Sequence, residues 1–126
     1  MNESLVSVVA PLESDPPEVV AATVRVVDAA HPATRALPAA FARRDEWYDF
    51  DRDPGAPGGG VRVLARLDES TYEGGAMGAH HPIAWCHERL GGRAFYTGLG
   101  HTVEGYDDAH LRAHLGGGVR WALGRD

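Results

Sequence analysis

A chain of 126 residues with a formal net charge of −6 fits one domain, long enough to bury roughly two-thirds of its unfolded surface. Its negative field repels phosphate backbones and anionic lipid, and no basic stripe reverses it locally, which argues against nucleic acid or membrane as a partner. All 12 basic residues are arginine, so Schiff-base chemistry, a lysine-anchored pyridoxal cofactor and a Walker-type phosphate loop are excluded too.

Residues 1–20 read as a variable N-terminal arm. It is rich in Ser, Glu, Asp and Pro around the short apolar run at 5–10, and Pro16-Pro17 blocks continuous regular structure. The apolar run lacks a basic flank and a small-residue cleavage site, so it is expected to be neither signal peptide nor membrane span. Cys86 is the only cysteine and cannot form an internal disulfide, as is usual for a cytoplasmic protein. Residues 22–28 alternate valine with polar side chains and predict a strand, with Val24 and Val26 on one face and Thr23, Arg25 and Val27 on the other. After His31-Pro32, residues 34–37 with Pro38 behind them support no more than one helical turn before Phe41. The aromatic and acidic run 45–50 predicts a loop edge or short strand. Residues 51–60 hold four glycines in ten positions and predict an exposed loop.

Val61, Val63, Ala65 and Leu67 alternate with Arg62, Leu64 and Arg66, the period of a strand with one drier face. A second long loop is expected over 68–79. The apolar-rich runs 83–90 and 93–99 flank Gly91-Gly92, which predicts a two-residue hairpin turn. A C-terminal helix is expected from about Asp107, as its cap, to about Leu123, with Leu111, Leu115, Val119 and Ala122 along one stripe. Gly116-Gly117-Gly118 lies inside it at about 1 kcal/mol per glycine relative to alanine. Close approach of the helix to the sheet is the expected reason.

Seven histidines invite a metal reading. His110 and His114 stand at i and i+4, but Leu-Arg-Ala between them lacks the glutamate of a zincin helix, so packed or surface histidines are the better account. His80 and His81 are adjacent and point apart in an extended chain. A metal held by His81, His101 and Glu46 is an alternative; the reading taken forward has no metal and no cofactor. Cys86, between Trp85 and His87 in mid-strand, reads as a buried small hydrophobe. Trp47, Tyr48, Tyr72, Trp85 and Tyr96 suit stacking on a sugar ring or packing in the core. His101 follows Gly98-Leu99-Gly100 at a predicted strand end, where glycine lets the chain turn and present the next side chain. Thr102 and Glu104 stand near enough in sequence to orient it, so His101 reads either as an acid–base group or as an interior hydrogen-bonded histidine.

Several ordered blocks carry a resemblance: His31-Pro32-Ala33-Thr34 with Leu37-Pro38, Asp45-Glu46-Trp47-Tyr48, Asp68-Glu69-Ser70-Thr71-Tyr72, His81-Pro82-Ile83-Ala84-Trp85-Cys86, and Tyr96-Thr97-Gly98-Leu99-Gly100-His101-Thr102. With Gly117 and Trp121-Ala122 they make the chain, from about Ala22 to Gly124, resemble the ThuA-like (trehalose utilisation) family. The resemblance implies an α/β fold, a partial flavodoxin-like sandwich similar to class I glutamine amidotransferases, with a mixed sheet and a C-terminal helix. It implies a role in carbohydrate use, loosely hydrolase-like, with His101 as the catalytic candidate and Glu46, Tyr48, His81, Trp85 and Thr102 as substrate-binding candidates. His80 departs from the family, which more often has an acidic residue before the His-Pro pair. Residues 21–126 match only the C-terminal half of such a domain. The expected partners are therefore a small-molecule carbohydrate and either a second copy of the chain or a separately encoded N-terminal half. The alternative is a non-catalytic sugar-binding or assembly module.

Overall fold

Strand β2 (Val19–Val26) realises the alternation of its sequence, with Ala22 and Val24 buried while Ala21 and Arg25 face outward. The computed structural model describes residues 8–9, 18–102 and 104–125, so most of the N-terminal arm lies outside the described residues. Beside β2 lie β3 (Ala40–Glu46) and β5 (Arg62–Asp68). Strand β6 (His81–His87) pairs with β5, and β7 (Ala94–Thr97) pairs with β6. The order is β3-β2-β5-β6-β7, and each of these pairings is antiparallel. A separate ribbon joins β1 (Val8–Val9) to β4 (Asp49–Phe50). Helix α1 (Ala109–Ala122) completes the α/β architecture. None of the described helices is long and apolar enough to cross a membrane.

Strand β3 corrects the sequence reading, which left 40–44 without an element. Its inward positions are Arg43 and Asp45, so the period is present but the apolar residues that would reveal it are not. Strand β5 departs from simple alternation. Its register against β6 shifts on both sides of Ala65, and Leu64 and Ala65 are both buried, as a bulge allows. The Leu64 carbonyl accepts from Val27 N at 2.9 Å and Asp28 N at 3.2 Å, tying the bulge to the end of β2.

The hairpin is wider than its glycine pair suggests. The last ladder pair is His87 with Ala94, leaving a loop over 88–93 in which Gly91 takes a φ of +87°. Arg89 donates from Nη1 to the Gly59 carbonyl at 2.9 Å, drawing this loop toward the glycine-rich one instead of into the ladder.

Helix α1 is capped one residue later than expected, by Asp108, whose carboxylate accepts from His110 N at 2.8 Å. The buried stripe is Leu111, His114, Gly117, Gly118 and Trp121; Val119, expected inside, is 57% exposed. The helix lies over the sheet face that carries Phe95 and Thr97. His114 donates from Nδ1 to the Ala33 carbonyl and accepts at Nε2 from the Thr97 hydroxyl, each at 2.8 Å. A side chain at Gly117 would overlap the Pro32 carbonyl, and one at Gly118 would overlap the Phe95 ring.

Alternation along β7 turns Tyr96 to the opposite face, together with its pair Trp85. Their rings stack 4.1 Å apart, and Phe50 meets both edge-on at 5.9 Å and 5.2 Å. The sheet thus carries a helix on one face and the aromatic cluster of β4 on the other. Cys86 is buried in β6, as expected, and burial pushes its thiol pKa up.

Candidate functional site

The site is built around a carboxylate with no solvent exposure. Asp45 Oδ1 accepts from Glu46 N and His101 N, both at 2.9 Å, and Oδ2 accepts from Gly100 N at 2.8 Å and Arg43 Nε at 2.7 Å. Burial alone would raise its pKa. These hydrogen bonds outweigh burial and hold it below the ordinary carboxylate range. Arg43, nearly as buried, also reaches Asp108 Oδ2 at 3.3 Å, which links β3 to the cap of α1.

The consequence is a turn pinned to the end of β3. Gly100 takes a φ of +104°, and a side chain there would press on the Tyr106 hydroxyl, which donates to the Gly100 carbonyl at 2.7 Å. His101 is thereby exposed. Its ring centroid lies 5.1 Å from that of Tyr48, tilted by 39°, and its Nδ1 is 3.5 Å from Asp45 Oδ1, longer than a hydrogen bond. Tyr48 donates its hydroxyl to Glu46 Oε1 at 3.0 Å. Burial, followed by the bond and charge of Glu46, pushes the Tyr48 phenol pKa up.

His101, Tyr48 and Glu46 are therefore brought together. His81 is fully buried beneath them, with Nε2 2.9 Å from the Tyr48 carbonyl and Nδ1 2.7 Å from Glu69 Oε2. Trp85 is buried in the aromatic stack and meets the site only through neighbouring rings. Thr102 accepts from Gly105 N at 3.1 Å and starts the next turn, where Glu104 also sits. The group that faces the His101 ring is Asp45. The alternative metal set of His81, His101 and Glu46 is not brought together: His81 turns Nε2 to the Tyr48 carbonyl and Nδ1 to Glu69, and neither ring nitrogen faces His101 or Glu46. Among the described residues, Asp49, Glu69 and His81 are the cluster whose donor atoms suit a metal.

Sequence reasoning missed Asp45, Arg43 and Glu69. Two of them had a usable signal, since opposite charges two apart in a strand share a face, and an inward pair must find further hydrogen bonds.

A family model described as trehalose utilisation (ThuA) matches residues 7–122. The crystal structure of a protein described as thua-like from Bacteroides uniformis superposes with a TM-score of 0.69 and 26% identity, covering 89% of this chain and 45% of that one. Another from Parabacteroides merdae gives 0.62 and 26%, covering 88% of this chain and 41% of that one. The chain spans less than half the length of these neighbours. No curated protein sequence matches it.

Proposed function

The chain belongs to the ThuA (trehalose utilisation) family, and from that premise we propose that it supplies the carbohydrate-facing part of a ThuA-like domain. In this reading His101 is the acid–base or binding group, and Tyr48 and Glu46 receive the sugar. One observation carries it: an exposed imidazole stands beside an aromatic ring, tilted to it, whose hydroxyl holds a carboxylate, on backbone fixed by a buried aspartate. An aromatic face takes the apolar side of a sugar ring, a carboxylate takes its hydroxyls, and imidazole is the side chain best suited to move a proton at neutral pH. His81 supports Tyr48 at its backbone carbonyl, Trp85 backs His81 through the Phe50 ring, and Thr102 sets the turn that leaves His101.

The test is a titration of the chain with trehalose and with a keto-disaccharide, following both binding and turnover, beside His101→Ala. Binding or turnover by the parent that falls at least about tenfold in the variant, about 1.4 kcal/mol, is the expected result. Equal background signals from both chains would remove the carbohydrate reading.

An assembly module is the second reading, favoured by the 45% and 41% coverage of the two neighbours and by the sheet ending at β3 and β7. Each of these strands has one ladder neighbour among the described residues, and its other edge suits a second copy or a separately encoded N-terminal half. The same titration separates the readings, because a module that only assembles binds no disaccharide.

A further inference from the structure

We propose that Asp49, Glu69 and His81 form a site for a first-row divalent metal ion at the buried base of Tyr48. One donor atom from each residue lies within 4.8 Å of the other two. The imidazole sets the geometry. Its Nε2 is 2.9 Å from the Tyr48 carbonyl oxygen, a group that can only accept, so Nε2 carries a hydrogen. This is the tautomer that metal-ligating histidines adopt when a backbone carbonyl holds the other ring nitrogen. Nδ1 faces Glu69 Oε2 at 2.7 Å, and a lone pair and a carboxylate that close repel unless a cation lies between them.

Charge balance favours a metal ion over a proton as that cation. A proton gives one imidazolium against two carboxylates, a net charge of −1 around a histidine with no exposure. A divalent ion with neutral imidazole brings the cluster, of which His81 is buried and the two carboxylates half-buried, to zero charge. The Tyr72 hydroxyl lies 3.3 Å from Nδ1, on the same side of the ring as Glu69. The carboxylates are already aimed. Glu69 accepts from Met77 N at 2.7 Å and Gly78 N at 2.9 Å, and Asp49 accepts from Ala76 N at 3.0 Å.

One imidazole and two carboxylates suit zinc or manganese, and three protein donors leave a coordination position open. Donors on tetrahedral zinc stand about 3.3 Å apart, so entry of the ion widens the Nδ1–Oε2 gap. The ion would fasten β4, the turn Glu69–Thr71 and the head of β6 to one another.

Zinc chloride titrated into the full chain, with calorimetry and the imidazole nitrogen resonances followed together, is the test. The expected result is one tight equivalent that moves the His81 Nδ1 resonance to that of a coordinated nitrogen. Asp49→Asn keeps an acceptor for Ala76 N–H but removes a charge, and is expected to weaken zinc at least about tenfold. Equal affinity in parent and variant, or an Nδ1 resonance that stays that of a protonated ring at one equivalent, would leave only a shared proton and overturn the site. The resonance is read on the unaltered chain, so it decides the matter whether or not the variant folds.

Discussion

At the scale of single residues, Asp45 does more to shape the site than the histidine it serves. Its two oxygens each accept two N–H groups, so any asparagine in its place turns an amide NH2 toward two donors and leaves the Arg43 guanidinium short of its buried counter-charge. Breaking a buried pair from one side is costly because the other charge stays behind. Asp45→Asn is expected to lower the unfolding free energy by about 3 kcal/mol, read from urea denaturation, and to speed amide exchange at Gly100 and His101. A loss below about 0.5 kcal/mol would mean the turn is held by something else. His101 and Tyr48 could be found from sequence, since a glycine-flanked histidine after a strand and an aromatic beside acidic residues are local signs. Asp45 carried half a signal, the charge pair with Arg43 two positions away, but the amides it accepts from belong to Gly100 and His101, more than fifty positions along the chain.

The same distinction governs the elements. Helix α1, β2 and most of β5 were legible because their inward residues are mostly apolar or small at the right period, and β6 because it is an apolar run buried on both faces, whereas β3 was hidden by inward charges and the hairpin loop by Arg89, which bonds across to Gly59. The glycine triplet was legible in kind but not residue by residue. Gly117 is closed by backbone at Pro32 and Gly118 by the Phe95 ring, while Gly116 has only the flexible end of Arg120 within 4 Å, at 3.6 Å. A carbonyl in a pinned turn cannot move aside as a side chain can. Gly117→Ala is therefore expected to cost about 2 kcal/mol through overpacking, despite the better helix propensity of alanine. At Gly116 the sign reverses, and alanine is expected to stabilise by up to about 1 kcal/mol. Thermal denaturation of the two variants side by side checks both, and equal shifts would contradict the close approach.

For the whole molecule, the family and the α/β class were readable from ordered motifs, but what locks helix, turn and sheet together is one buried polar chain. Leu99 N donates to Thr97 Oγ1 at 3.2 Å, the Thr97 hydroxyl donates to His114 Nε2, and His114 Nδ1 donates to Ala33 O. These bonds require a neutral ring. Burial lowers the His114 pKa below 6.5 and the charge of Arg43 adds to this, against the raising effect of the Ala33 bond. Between the folded and unfolded pKa values the unfolded chain binds the extra proton, so stability rises with pH across that window. The contribution is complete above about pH 6.5 and is lost as pH falls below it, with a slope of at most about 1.4 kcal/mol per pH unit for one proton. Asp45, lowered from 3.8, adds a second loss of the same sign at more acidic pH. His114→Asn keeps a donor for the Ala33 carbonyl and cannot gain a proton, so it separates this group from the other histidines. Urea unfolding from pH 5 to pH 8 should show the parent weakening below about 6.5 while the variant, less stable at pH 8, holds a flatter profile. Parallel profiles would mean that His114 is not the acid-sensitive joint between helix and sheet.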